Sequence, residues 1–236
     1  MCSNYRPVTR LDRLLTFFGV ERAQDEPPPD LDVYPLGLAP FIRLDPDSDP
    51  ADAPLVAQNG LYGLLPESAV ELKWGRKTYN ARSETVHRLP SFREAWTRGW
   101  RCIVPAEALY EPCWESGRFE RWRVAQPGDV PLGVAGIYRL WTHPQGARNF
   151  TFAMITVNAD AHPLYRRLHK AGEEKRMPVI LEPSEYGEWL RCSVADAKRF
   201  FRAWGGPLVA EPAPAPPRVV MPRSLPEPPP MDDLFG

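Results

Sequence analysis

The sequence predicts an α+β fold in which one strongly curved, mostly antiparallel and barrel-like sheet is flanked by short helices. Two observations carry this reading. Between residues 101 and 157 strand-like runs follow one another with no helical stretch between them, which favours pairing of neighbours in antiparallel fashion. Helical periodicity is confined to short segments elsewhere in the chain. With 236 residues and 43% hydrophobic content the chain supports one substantial core, so the expected organisation is a single domain over residues 1–205 and a tail over 206–236.

Taken in order, Thr9 and Asp12 have capping-box spacing, Leu11, Leu14, Leu15 and Phe18 recur at helical intervals, and Gly19 supplies a left-handed stop. A short amphipathic helix follows the amino terminus and ties the first residues to the core. Pro- and Asp-rich runs at 26–31 and 45–54 read as surface loops around an apolar segment at 34–44. Ser91 and Glu94 repeat the capping-box spacing, and that helix ends at Gly99. Strands are predicted over 101–104, 108–111, 121–124, 130–140, 150–157 and 177–181, and two helices over 184–191 and 193–204. From Pro207 onward ten of thirty residues are proline, a composition that cannot offset backbone ordering by burial, so the tail is expected to be disordered. It ends in an acidic pair followed by large apolar residues, from Met231 through Leu234 and Phe235, which has the character of a docking peptide.

Charge and cysteine usage narrow the function classes. No run approaches the roughly 18–20 apolar residues that span a bilayer, and the first ten residues are too polar for a signal peptide, so a cytoplasmic protein without membrane association is expected. Cys2, Cys102, Cys113 and Cys192 show no CxxC or other zinc-type spacing, so free thiols, no metal and no cofactor are expected. The net charge of −1 argues against nucleic acid, but its distribution argues for it. Residues 73–101 hold eight basic side chains, among them Lys73, Arg76, Lys77 and Arg82, against Glu84 and Glu94, a local balance of +6. A second cluster, Arg166, Arg167, Lys170, Lys175 and Arg176 against Glu173 and Glu174, carries +3. Two solvated faces are the plain alternative.

Chemistry concentrates at residue 2. Removal of Met1 leaves Cys2 with an α-amine and a thiol on adjacent carbons, whose reference pKa values of about 8 and about 8.5 provide minor nucleophilic fractions of both at neutral pH. Such a pair captures an aldehyde twice, first as a Schiff base and then as a five-membered thiazolidine.

Five segments then read together: Met1-Cys2; Tyr62-Gly63-Leu64-Leu65-Pro66; Asn80-Ala81-Arg82-Ser83-Glu84-Thr85; Arg101-Cys102-Ile103-Val104-Pro105-Ala106 running into Tyr110-Glu111; and Arg176-Met177-Pro178-Val179-Ile180-Leu181. In this order and spacing they resemble the SOS-response-associated peptidase family, over roughly residues 1–200. The resemblance implies a pseudo-barrel with Cys2 at the floor of a cleft, autocatalytic loss of Met1, and crosslinking to the ring-opened aldehyde of abasic sites in single-stranded DNA. It further implies that Glu111 is the catalytic acid, that Asn80 orients the Cys2 amine or the sugar, and that Arg82 holds a backbone phosphate. The corresponding alternatives are a solvent-facing strand carboxylate, a turn asparagine and a surface ion pair between Arg82 and Glu84.

The chain departs from the family pattern in several places. Glu174 occupies the position, two residues before the Arg-Met-Pro run, where many members have the catalytic histidine; His169 is assigned that role here, with His162 as second choice. Ser3 and Asn4 stand where many members have Gly-Arg, Tyr62 replaces a Trp, and Pro112 replaces the Trp after the glutamate. Base stacking then falls to Trp74, Tyr79 or Trp114, alongside phosphate contacts from Lys73, Arg76, Lys77 and Arg82. The expected partner is single-stranded DNA with abasic sites, met by a nucleoid-associated monomer. Two other classes stay open: an N-terminal-nucleophile cysteine peptidase acting on other proteins, and a non-catalytic adaptor docking on a sliding clamp or replication protein through residues 231–235.

Overall fold

A computed structural model describes residues 2–22, 26–49 and 52–215. Met1 and the expected docking peptide at 231–235 lie outside the described residues. In chain order the elements are β1 (Asn4–Pro7), α1 (Leu11–Phe18), β2 (Leu38–Leu44), β3 (Leu55–Tyr62), β4 (Asn80–Arg82), α2 (Pro90–Thr97), β5 (Arg101–Cys113), β6 (Glu120–Ala125), β7 (Leu132–Thr142), β8 (Arg148–Asn158), β9 (Arg176–Pro178), β10 (Ile180–Leu181), α3 (Tyr186–Arg191) and β11 (Val209–Pro212), with 3-10 turns between several of them.

The sheet closes on itself. Strand β7 pairs with β8, β8 with β3, β3 with β2, β2 with β5, and β5 again with β7, a five-stranded ring with β6 and β11 extending from β5. Closure removes the exposed edges that an open sheet must protect. Every pair in the ring is antiparallel except β3 with β8, so the barrel is mixed but mostly antiparallel, as the sequence predicts. The core covers both faces of this sheet, with side chains such as Phe41, Ile42, Tyr62, Ile103, Val134 and Phe152 each fully buried. Each such side chain contributes roughly 1.5–3 kcal/mol by leaving water.

Several expected elements differ in their details, for physical reasons that can be named. The two strands expected at 101–104 and 108–111 are one strand, β5, which runs through Pro105, whose carbonyl accepts from Val8 N at 3.0 Å. Neither capping box forms. Asp12 is taken by Arg10 at 2.6 and 3.0 Å, and Glu94 by Arg98 and Arg139; the helices begin on Arg10 and Leu89, with no side-chain cap on either. The helix expected at 193–204 is reduced to a 3-10 turn at Asp196–Phe200. The stretch assigned to the tail from residue 206 contributes β11, which pairs Val209–Pro212 antiparallel with β6, so ordered chain extends past the expected boundary.

Three features of this frame aim residues at one point. Strand β1 pairs with β5 in the register Asn4 to Tyr110 and Tyr5 to Leu109, while Tyr5 and Val33 exchange both backbone hydrogen bonds at 3.1 and 2.8 Å. The amino-terminal strand is thus held on both sides, with Tyr5 and Val8 fully buried. After β3 the chain turns at Gly63, whose φ of 138° and lack of a side chain are both required, since a Cβ there would sit 2.3 Å from the Gly75 carbonyl oxygen. That turn sets Tyr62 at the barrel mouth and brings the chain back to β4.

Gly63→Ala combines a forbidden φ with a backbone clash and is expected to destabilise the fold by about 2–5 kcal/mol, read as a lower urea midpoint with unchanged m-value. A midpoint equal to wild type would contradict this account of the turn.

Candidate active site

The backbone pairing of β1 delivers Cys2 to the end of β5, fully buried. Its thiol donates to Asn4 O at 3.3 Å, and its carbonyl oxygen accepts from Asn80 Nδ2 at 2.8 Å and from the Tyr62 hydroxyl at 2.9 Å. Asn80 reaches it from β4, itself fixed by parallel pairing of Asn80 to Met154 on β8. The two donors fill both lone-pair positions of one carbonyl, so residue 2 is clamped by β3 and β4 as well as by the pairing of β1 with β5. Tyr62 is read from sequence only as a departure from Trp; its position at the end of a strand before a Gly turn was the available signal.

Glu111 comes from β5 and is 1% exposed. Among the described residues neither carboxylate oxygen has a hydrogen bond of good geometry, and His169 Nε2 stands 3.5 Å from Oε2. Burial pushes the Glu111 pKa up to about 7. The solvent-facing alternative for Glu111 does not describe its position. Burial also raises the Cys2 thiol well above its ordinary value, and the nearby Glu111 charge adds to that rise.

His169 lies on the loop before β9, buried, with a backbone φ of 63° that a non-glycine residue seldom adopts. Two contacts hold it there: His169 N donates to Pro112 O at 2.6 Å, and Leu168 bridges to Cys113 on β5. Its Nε2 is 3.2 Å from the Arg176 carbonyl, which only accepts, so this nitrogen carries the proton. Burial lowers the His169 pKa to about 4, leaving a neutral ring at neutral pH. His162 is committed elsewhere: Nδ1 accepts from Leu164 N and Tyr165 N at 3.1 Å each, and Nε2 donates to Trp204 O at 3.0 Å.

Two more buried tyrosine hydroxyls, Tyr5 and Tyr165, have no hydrogen-bond partner among the described residues. Together with the unsatisfied Glu111 oxygens they form the kind of orphaned polar set that a bound oxygen-rich ligand or ordered water completes. Among the described residues no group of His, Cys, Asp and Glu is arranged to hold a metal, and the four cysteines are unpaired.

The basic residues singled out in the sequence separate into different places. Arg82 pairs with Glu174 at 2.8 Å rather than with Glu84, which binds Arg176 through two hydrogen bonds of 2.9 Å. Glu174 bridges Arg82 and the buried Arg176, whose carbonyl in turn receives His169. Lys73, Trp74, Arg76 and Lys77 sit on an exposed 3-10 turn at Leu72–Lys77, with Lys73 paired to Glu71. They are not in the wall of the cleft of about 880 Å³ that opens beside Ser3, Asn4 and Glu111. Tyr79 is half-buried, its ring edge-on to Tyr62 with centroids 5.6 Å apart, and burial followed by the charges of Cys2 and Glu111 raises its pKa. Trp114 backs Phe119 edge-on at 6.0 Å.

Comparison with known proteins comes from three directions. A family model described as SOS response associated peptidase (SRAP) matches residues 1–210. Abasic site processing protein YoqW of Bacillus subtilis (strain 168) is 33% identical over 146 residues, 57% of this chain and 57% of its own length. Abasic site processing protein HMCES of Gallus gallus is 30% identical over 158 residues, 55% of this chain and 43% of its own length. The chain spans about half the length of the curated relatives it matches. A crystal structure from Bordetella bronchiseptica superposes with a TM-score of 0.81 at 34% identity, covering 91% of this chain and 100% of that one. One from Bacteroides thetaiotaomicron shares the fold at a TM-score of 0.72 and 23% identity, covering 89% and 90%.

The opposed pKa shifts predict opposed pH dependences of stability. Glu111, raised to about 7, favours the folded state below its unfolded value near 4.3 and loses that contribution as pH rises to 7. His169, lowered to about 4, loses its contribution as pH falls from about 6.5 through 4. Urea unfolding between pH 4 and 7 should therefore show Glu111→Gln gaining stability with rising pH relative to wild type, and His169→Gln losing it; parallel profiles for all three proteins would refute the assignment.

Proposed function

Because the chain belongs to the SOS response associated peptidase (SRAP) family, we propose that it captures abasic sites in single-stranded DNA as a covalent crosslink to Cys2, once Met1 has been removed by the protein itself. The observation that carries this reading is the convergence on Cys2 of a clamped carbonyl, a carboxyl group titrating near neutrality and a neutral histidine, from four separate strands and loops. The names of the curated relatives, abasic site processing proteins, support the choice of substrate.

The chemistry follows from the groups present. The Cys2 α-amine attacks the aldehyde carbon of the ring-opened sugar, forming a C–N bond and a carbinolamine. Glu111, half-protonated near neutral pH, gives its proton to the departing hydroxyl, which leaves as water, and an iminium results. The Cys2 thiol returns a proton to the Glu111 carboxylate as Sγ bonds to the same carbon, and the C=N electron pair goes to nitrogen. One water is released, a thiazolidine is formed, and Glu111 ends in its starting state. His169, neutral and with Nε2 3.5 Å from Glu111 Oε2, lines the carboxyl without adding a positive charge, while Asn80 and Tyr62 keep residue 2 from turning away. Arg82, once released from Glu174, is the phosphate contact nearest to β4. The proposal places a monomer in the cytoplasm, working where DNA is single-stranded, with the clamp-docking role of residues 231–235 as a separate attachment.

Intact mass after incubation with an abasic single-stranded oligonucleotide reads both steps. The wild-type protein should lose one methionine and gain one oligonucleotide minus one water. Cys2→Ala should gain nothing, and Glu111→Gln should crosslink roughly 10²- to 10⁴-fold more slowly. An adduct of Cys2→Ala at the wild-type rate would end the proposal.

A further inference from the structure

We infer that Glu174 occupies the phosphate position on Arg82 and is exchanged for a DNA phosphate on binding, so that it sets how tightly the chain holds undamaged single strands; this rests on the function proposed above. Glu174 Oε2 meets Arg82 Nη1 at 2.8 Å, an anion held where a phosphate oxygen would sit. Strand β4 carries Asn80, bonded to the Cys2 carbonyl, and Arg82 two residues on, so the two share one face of the strand about 7 Å apart. A phosphate taken by Arg82 therefore belongs to the nucleotide held at Cys2 or to its neighbour.

The other carboxylate oxygen fixes Glu174 in place. Oε1 accepts from Arg176 Nη1 at 2.8 Å and from Asn158 Nδ2 at 3.3 Å, and the backbone pairing of β8 with β9 sets Asn158 opposite Arg176. The Arg176 hydrogen bond holds the Glu174 carboxyl below its ordinary pKa, so the charge facing Arg82 is complete at neutral pH. Arg176 does not depend on Glu174 in return. Glu84 binds it through two hydrogen bonds of 2.9 Å, and Thr156 accepts from Nη2 through its carbonyl at 2.7 Å and its hydroxyl at 3.2 Å. Glu174 therefore stays where it is when Arg82 turns to DNA, and stands beside the incoming phosphate as a like charge. The side chains of the pair are 44% and 36% exposed, and an ion pair so open to water is weak enough to be exchanged. Arg82 then fixes the register of the strand while adding little to net affinity, and lasting occupancy falls to the bond at Cys2.

The test uses full-length protein and an undamaged single-stranded oligonucleotide, with affinity read by fluorescence anisotropy across a salt series. Glu174→Gln keeps an acceptor for Arg176 and removes the charge, and should bind about 3- to 10-fold more tightly than wild type at low salt. Its plot of log affinity against log salt should be steeper by about 0.7, because one more phosphate is neutralised without leaving a bare carboxylate behind. In an Arg82→Ala background the same substitution should change affinity by less than about 2-fold, as should Glu173→Gln, which removes an equal charge one residue away. Thermal unfolding checks that each variant keeps the fold, and Glu174→Ala should repeat the gain. Affinities of Glu174→Gln and Glu174→Ala equal to or below wild type would overturn the inference, as would a gain that survives Arg82→Ala. Undamaged DNA offers no aldehyde, so failure of crosslinking on an abasic oligonucleotide is read separately and strikes only the function.

Discussion

The structure depends on how its first residues are held. A chain terminus is ordinarily loose, yet here β1 is paired on one side with β5 and on the other with Val33, and Tyr5 and Val8 are buried beneath it. That pairing makes the position of Cys2 a property of the barrel rather than of the terminus. The two hydrogen bonds to the Cys2 carbonyl from Asn80 and Tyr62 complete the constraint, and they come from β4 and from the strand end just before Gly63. In the proposed reaction a residue 2 fixed in this way has no free-end entropy left to give up.

Around that fixed point the site separates two titrations. Among the described residues Glu111 is buried without hydrogen bonds of good geometry and holds its proton up to about pH 7, while His169, a few ångströms away, stays neutral down to about pH 4. Desolvation acts on both and in opposite directions, because it disfavours whichever form is charged. The proposed mechanism uses that separation, with Glu111 as the group that exchanges protons. The positive φ of His169 is strain in the loop, sustained by the short contact to Pro112 and by the hydrogen bond to Arg176, whose side chain is itself locked by Glu84, Glu174 and Thr156. Glu174 bridges Arg82 and Arg176.

Much of this was legible in the sequence, but unevenly. The succession of strands from 101 to 157 and the motif segments around residues 2, 62, 80, 111 and 176 carried the class of fold and the choice of Cys2, Asn80, Glu111 and His169. Strands β1, β2 and β3 were not legible: Pro7, Pro40 and Gly60 interrupt their patterns, and their stability comes from ring closure, a long-range effect that no local window contains. Both capping boxes failed because arginines nearer in space took the carboxylates. Strand β11 hides in a proline-rich stretch because pairing along β6 asks for few donors from an outermost strand. The exposed run around Lys73 and Trp74 is basic and aromatic by composition, yet the aromatic wall beside Cys2 is built from Tyr34, Tyr110 and Phe119, residues far apart in sequence and in no motif.

A crystal structure of the protein reacted with an abasic single-stranded oligonucleotide addresses the central claim most directly. It should show a single sugar carbon bonded to both the nitrogen and Sγ of residue 2, with the Cys2 carbonyl still held by Asn80 and Tyr62. A sugar attached through a lysine, or a residue 2 swung out of the clamp, would contradict the account.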